Sequence, residues 1–209
     1  MASWVLIAFL IIACVVLTRM INKYKKLAIV ERLTELAEKG DFKAQYELAI
    51  CYFNGDGVTK DDTSAVAWLS KAAEHDNAEA QRVLGVCYDH GRGVQPDIAK
   101  AVVWWKKAAQ GGDSEAQRVL GNCFYNGKGV PKDAEQAVVW FRKAAEQGNA
   151  KAQICLGMCH KNGEGVRKDD VQAYRWLTLA GAGDLEARRL RDYVASQMTR
   201  EQIEKARQP

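Results

Sequence analysis

The chain has 209 residues, 48% hydrophobic and 27% charged, a balance that suits one folded domain plus a short extra segment and excludes a largely disordered chain. Its formal net charge of +4 sits in one place: Arg19, Lys23, Lys25 and Lys26 precede every acidic residue, and from Glu31 onward 26 basic residues balance 26 acidic ones. The remainder is neutral and offers no general electrostatic reason to bind nucleic acid.

Residues 2–18 carry no charge and end at the basic flank Arg-Met-Ile-Asn-Lys-Tyr-Lys-Lys. Seventeen apolar residues lie at the short end of what crosses a bilayer, and Met20 and Ile21 extend the run if Arg19 snorkels. Trp4 suits a membrane interface, and positive charge on the C-terminal side keeps that side in the cytoplasm. Residues 1–26 are therefore expected to be a single-pass anchor and flank, with residues 2–21 in the membrane and the remainder cytoplasmic. Export is the alternative. A cleaved signal peptide wants an early basic region and a small-x-small site, which this start lacks. A lipoprotein signal is hinted at by Ile11, Ile12, Ala13 and Cys14, but the apolar run continues past Cys14.

Residues 27–39 read as a lead-in helix. Beyond them the chain repeats itself at a shift of 36 residues. Ala44-Gln45 recurs as Ala80-Gln81, Ala116-Gln117 and Ala152-Gln153, and Leu48 recurs as Leu84, Leu120 and Leu156. Ala49 is followed in register by Gly85, Gly121 and Gly157, and Cys51 by Cys87, Cys123 and Cys159. An aromatic slot reads Tyr52, Tyr88, Phe124 and His160. Each copy then carries Gly-x-Gly-Val, an aspartate (Asp61, Asp97, Asp133, Asp169) and a tryptophan (Trp68, Trp104, Trp140, Trp176).

These positions describe a helical hairpin. Ala44, Leu48, Ala49, Cys51 and Tyr52 make one apolar stripe, and the small residue at 49 admits a second helix closely. The glycines end the first helix, Val58 pins the loop, and the aspartate caps the second helix. Ala65, Trp68, Leu69 and Ala72 form that helix's buried stripe, so the tryptophans are read as core. Two antiparallel helices cannot bury both apolar faces alone. The expected fold is all-α: a right-handed α-solenoid of four tetratricopeptide-like hairpins (40–75, 76–111, 112–147, 148–183), with an N-terminal transmembrane helix and capping helices over 184–209. Thr199 with Gln202 forms a capping box for the last of these.

The pattern AQxxLGxxYxxGxGVxxDxxxAxxWxxKAAxxG, clearest over residues 116–148, resembles the Sel1-like repeat family. The likeness covers about residues 40–183, and the C-terminal MTREQIEKA also resembles the tail that often ends such arrays. Departures are Ala49 for glycine, His160 for the aromatic and Leu179 for the lysine of the Lys-Ala-Ala triplet. Sel1-like proteins are mostly adaptors that hold signalling or secretion components together, often at membranes. Resemblance thus implies protein binding and no enzyme.

Other chemistry is weaker. Equivalent cysteines in adjacent repeats stand roughly one repeat rise apart, beyond the ~7 Å Cα limit for a disulfide, and Cys155 and Cys159 share one helix turn. Buried thiols in a reducing compartment are expected. Cys87 with His90, or Cys159 with His160, gives no four-ligand metal pattern, and no cofactor is implied. The four Gly-x-Gly segments precede an aspartate cap rather than a lysine, which favours a turn over a phosphate site.

The first helix of each hairpin should line an inner groove. Faces left free by the core place Tyr46, Arg82, Arg118 and Ile154 in one row, and Ile50, Val86, Asn122 and Met158 in a second. Phe53, Asp89, Tyr125 and Lys161 form a third. Aromatics beside arginines suit an interface for a protein or peptide. Packing of Tyr46 and Phe53 on the lead-in helix is the alternative. The sequence thus points to a membrane-anchored interaction adaptor. Its rivals are an exported envelope factor or hydrolase of the cysteine-rich Sel1-like type, and a structural membrane protein that self-associates through its anchor. No residue pattern sets the oligomeric state.

Overall fold

The computed structural model describes the backbone of residues 2–208 and the side chains of residues 17, 18, 20–22 and 24–208. Among these, the chain forms eleven helices and no strand. After α1 (Ala2–Glu38) come four hairpins: α2 (Phe42–Asn54) with α3 (Asp62–Glu74), α4 (Ala78–His90) with α5 (Ile98–Gln110), α6 (Ser114–Asn126) with α7 (Ala134–Glu146), and α8 (Ala150–Asn162) with α9 (Asp170–Ala180). Two end helices complete the chain, α10 (Leu185–Ala195) and α11 (Arg200–Arg207).

Local chemistry sets the helix ends. Every second helix starts at the recurring aspartate, whose carboxylate accepts backbone N–H bonds of the first turn, as at Asp133 from Gln136 (2.9 Å) and Asp169 from Gln172 (3.0 Å). The full reciprocal box forms at Thr199 and Gln202. The first helices are capped as well, by Asp41, Asn77, Asp113 and Asn149, just before the repeating Ala-Gln pair.

Repeats are joined by two devices. The glutamine after the repeating alanine is buried, and its Nε2 donates to the carbonyl of the residue eight earlier: Ala37 (3.1 Å), Ala73 (3.0 Å), Ala109 (3.1 Å) and Ala145 (3.1 Å). Each first helix is thereby tied to the end of the preceding second helix. The second device is the last glycine of each Gly-x-Gly turn. A Cβ on Gly93 would lie 2.1 Å from the Asp62 carbonyl oxygen, and one on Gly165 2.0 Å from that of Ala134, with φ values of +71° and +67°. Only glycine allows both that approach and that conformation.

The same devices reach back to α1. Gly57 sits against the Lys26 carbonyl, and Gln45 bonds the Ala37 carbonyl. Val30, Leu33 and Ala37 are buried as Val66, Leu69 and Ala73 are one repeat later. The lead-in is thus the second helix of a half repeat, and it runs unbroken from the N-terminal segment as one helix, Ala2–Glu38. The side chains of residues 1–16, which hold most of the expected anchor, lie outside the described residues. Among the described residues no helix is long and apolar enough to cross a membrane.

The tryptophan ladder packs against the core clusters, as its reading as core expects, but from their edge. Trp68, Trp104, Trp140 and Trp176 are half-buried, and the fully packed position is the next one: Leu69, Trp105, Phe141 and Leu177. The lysine three residues on covers the first three rings, with Nζ 4.0 Å from the centroid at Trp68 and 4.4 Å at Trp104 and Trp140. The packed residue meets the small position of the first helix. Gly85 faces Trp105, Gly121 faces Phe141 and Gly157 faces Leu177, while Ala49 and Leu69 share the first core cluster. The valine of each Gly-x-Gly-Val loop packs on a core cluster as expected.

At the far end the fourth hairpin is modified to meet its cap. His160 fills the aromatic slot at 6% exposure, and neither ring nitrogen finds a hydrogen-bond partner among the described residues. Burial, reinforced by the Arg142 charge and opposed by Asp169, holds its pKa below the ordinary value. Lys161, also 6% exposed, bonds Asp170 at 3.1 Å and Gln197 of the cap. Arg175 donates to the carbonyls of Lys205 (2.9 Å) and Gln208 (3.0 Å), closing the C-terminus of α11.

These contacts have measurable consequences for stability. A Cβ at position 85 would stand 2.4 Å from the Trp105 indole nitrogen, so Gly85→Ala should destabilise by about 1–3 kcal/mol in chemical unfolding. In a Trp105→Leu background the same change should cost nothing; equal cost in both backgrounds refutes the close approach. Because the buried His160 must take up a proton on unfolding in acid, stability should decline as pH falls below about 6.5. His160→Phe, which copies Phe124, should remove that slope and add about 1 kcal/mol at neutral pH. An unchanged pH profile of melting temperature would count against the buried neutral ring.

Candidate functional site

With the hairpins stacked, the three rows proposed on the first helices meet different fates. The row of Phe53, Asp89, Tyr125 and Lys161 is consumed by contact with the next unit. The Arg92 guanidinium lies 4.0 Å above the Phe53 ring, and Asp89 pairs with Lys128 at 2.7 Å. The Tyr125 hydroxyl donates to Glu164, and Lys161 is enclosed by Asp170 and the cap. In the first three cases the partner is the residue between the two glycines of the following loop. Phe53 is buried in the first core cluster rather than against α1, and Lys161 is buried too, so neither is open to a partner.

The first row is partly committed. Tyr46 packs on the first cluster, and its phenol is pushed up to about 12 by burial and by its bond to Glu79. Arg82 pairs with Asp113 at 3.2 Å, and Arg118 makes two bonds to Glu115, at 2.6 and 3.0 Å. Arg82 therefore ties α4 to the cap of α6. Glu115 in turn accepts from Asn149 at 3.1 Å, and these bonds hold its carboxyl below its usual range, with the Arg118 guanidinium the largest influence. Both arginines serve the stack, because a charge left half-buried without a partner is costly.

The second row remains. Ile50, Asn122 and Met158 are half-buried, Ile50 packing on the first core cluster as Tyr46 does, and Val86 is 39% exposed. Where α6 meets α8 the row opens into a cavity of about 180 Å³ lined by Asn122, Tyr125, Phe141, Ile154, Cys155, Met158, Cys159 and Glu164. Three proposed residues (Asn122, Tyr125, Met158) come together there. Cys155 and Glu164 were missed because their register neighbours look unremarkable: Cys155 follows Glu47, Val83 and Val119, and Glu164 follows Asp56, Arg92 and Lys128. The usable signal was the loss of bulk or charge at positions 154 and 155 in the last repeat alone.

The cavity is apolar in character and its thiols are protonated. Burial raises Cys155 above its ordinary value and pushes Cys159 up to about 12. Such thiols do not act as nucleophiles at neutral pH. All five cysteines of the described residues are free, and among those residues no three of histidine, cysteine, aspartate and glutamate gather as a metal set. The arrangement suits recognition of an apolar group.

Comparison with known proteins bears out the same periodicity. The Sel1 repeat model matches residues 42–77, 78–113, 114–149 and 150–185, two residues later than the boundaries read from the glycines. A protective antigen of uropathogenic Escherichia coli with an SLR fold is 41% identical at a TM-score of 0.78, over 80% of this chain and 36% of that one. A Sel1 repeat protein from Oxalobacter formigenes is 36% identical at 0.75, over 81% and 49%. Cysteine rich protein B of Helicobacter pylori is 28% identical at 0.50, over 59% and 91%. The chain thus spans between about a third and a half of the length of the first two. No curated protein matches. With four matched repeats over most of its length and these structural likenesses, the chain belongs to the Sel1 repeat family.

Proposed function

We propose that this protein is a membrane-anchored scaffold that holds a protein or peptide partner along the exposed faces of α2, α4, α6 and α8. One observation carries the groove reading: the row Ile50, Val86, Asn122 and Met158 is the one left unspent by inter-repeat bonding, and it opens into an apolar cavity. A stack needs no such opening for its own stability, and an apolar recess with a few polar groups on its rim is the usual form of a binding site.

Two features support the anchor. Helix α1 continues without a break from the apolar N-terminal run into the half repeat, and its residues ahead of Lys26 would reach about 36 Å, against roughly 30 Å for a bilayer core. Leu17, Met20, Ile21 and Tyr24 are exposed and touch no core cluster. The basic residues Lys25 and Lys26 at the foot of the repeats favour a cytoplasmic domain.

The full-length chain should stay with membranes through alkaline extraction, and its repeats should resist protease added to sealed right-side-out vesicles. Release by alkali overturns the anchor, and digestion overturns the orientation. For the groove, a partner captured by the full-length chain should be lost on Val86→Arg or Met158→Arg, with the thermal transition retained. Capture unaffected by either change overturns the groove. Charge reversal at Arg82 or Arg118 is a poor control, because both ion pairs lie within the stack.

A further inference from the structure

The residue between the two loop glycines is ion-paired in three of the four repeats. Asp56 pairs with Lys26 at 2.6 Å, Arg92 with Asp62 at 3.0 Å, and Lys128 with Asp89 at 2.7 Å. Glu164 is the exception. Its contact is the Tyr125 hydroxyl, and among the described residues no cation lies within ion-pair distance. That hydroxyl fills part of the carboxylate's bonding capacity and leaves the charge uncompensated. Glu164 is half-buried and stands on the wall of the cavity between α6 and α8.

Size and charge together define a ligand. A cavity of about 180 Å³ compares with the roughly 150 Å³ apolar cavities that accept a benzene-sized group, so it takes one large apolar side chain. Phe141, Ile154 and Met158 supply apolar walls, and Asn122 supplies an amide on the rim. A partner cation reaching Glu164 would complete the pairing that the other three loops make within the chain. Of this chain's basic groups around the cavity, Lys128 is spent on Asp89 and Arg118 on Glu115, and the Lys132 ammonium stands over the Tyr125 ring, 6.0 Å from its centroid, without pairing with Glu164.

We infer that the α6–α8 cavity is a recognition pocket for a basic–apolar peptide motif, in which one large apolar side chain enters between Ile154 and Met158 and a neighbouring lysine or arginine pairs with Glu164. This rests on the groove reading and gives it a specificity. Toward the N-terminal end the row continues as Val86 and Ile50, which offer apolar contact to residues flanking the motif.

The test is selection of random dodecapeptides displayed on phage against the full-length chain in phosphatidylcholine nanodiscs. Met158→Trp plugs the pocket, and Glu164→Gln removes the charge while keeping an acceptor for Tyr125. Circular dichroism and melting temperature establish that both variants fold, and Met158→Phe replaces the tryptophan variant if it does not. Peptides lost on plugging should carry a large apolar residue within two positions of lysine or arginine. Glu164→Gln should weaken them by about two- to fivefold, less so at high salt. Plug-sensitive peptides without basic enrichment, or equally bound by Glu164→Gln, overturn this inference and leave the groove standing. Failure to select any plug-sensitive peptide overturns the groove itself.

Discussion

A buried glutamine at the start of each first helix governs the spacing of the stack. Gln45, Gln81, Gln117 and Gln153 each donate to a carbonyl at the end of the preceding second helix, where it would otherwise face a neighbour that offers no partner. Burying an amide is tolerated only because that bond is made, so the bond restricts the distance and register at which one hairpin can lean on the next. The loop glycines act at the other end of the same junction, where the backbone passes too close for any side chain. Between these two fixed points the apolar faces have one way to meet.

That constraint explains why so many groove candidates turn out to be structural. Once the loop of one repeat is pressed onto the start of the previous second helix, its middle residue lies over the third row of the preceding first helix. Whatever occupies the row must then suit whatever occupies the loop. The chain solves this differently each time, with a guanidinium on a phenyl ring, a lysine on an aspartate, and a phenol on a glutamate. In the first row Arg82 bonds the cap of the next first helix directly, and Arg118 holds Glu115 within α6 while Glu115 accepts from the Asn149 cap of α8. What is left for a partner is the second row and the recess at its end.

The ends of the solenoid show what happens when the neighbour is missing. At the start, α1 supplies a second helix without a first, so that α2 has something to close on. At the finish, α10 and α11 lie on α9, and Arg175 caps the last helix by reaching its terminal carbonyls. The fourth repeat adapts to that cap: Lys161 becomes buried and paired, and His160 replaces an aromatic side chain that the other repeats use freely. Repetition fails where the environment stops repeating, and the cavity sits beside that boundary.

How much of this could be read from the chain depends on the range of each interaction. Helix lengths, caps, turn glycines and the stacking of hairpins depend on residues within one repeat and on the periodicity, so sequence alone determined them, together with the end caps and the family likeness. Contacts between residues 30 to 39 apart were a different matter. The pairing of Asp89 with Lys128, the cover of Arg92 over Phe53 and the bond of Lys161 to Gln197 depend on how far one hairpin is rotated over the next. Helical spacing assigned the tryptophans to the core, yet the side chain one position on is the one turned fully inward. Only the tertiary structure decided which exposed-looking positions were spent within the stack and which remained open, because that rotation is set by packing across repeats and leaves no mark on any single one.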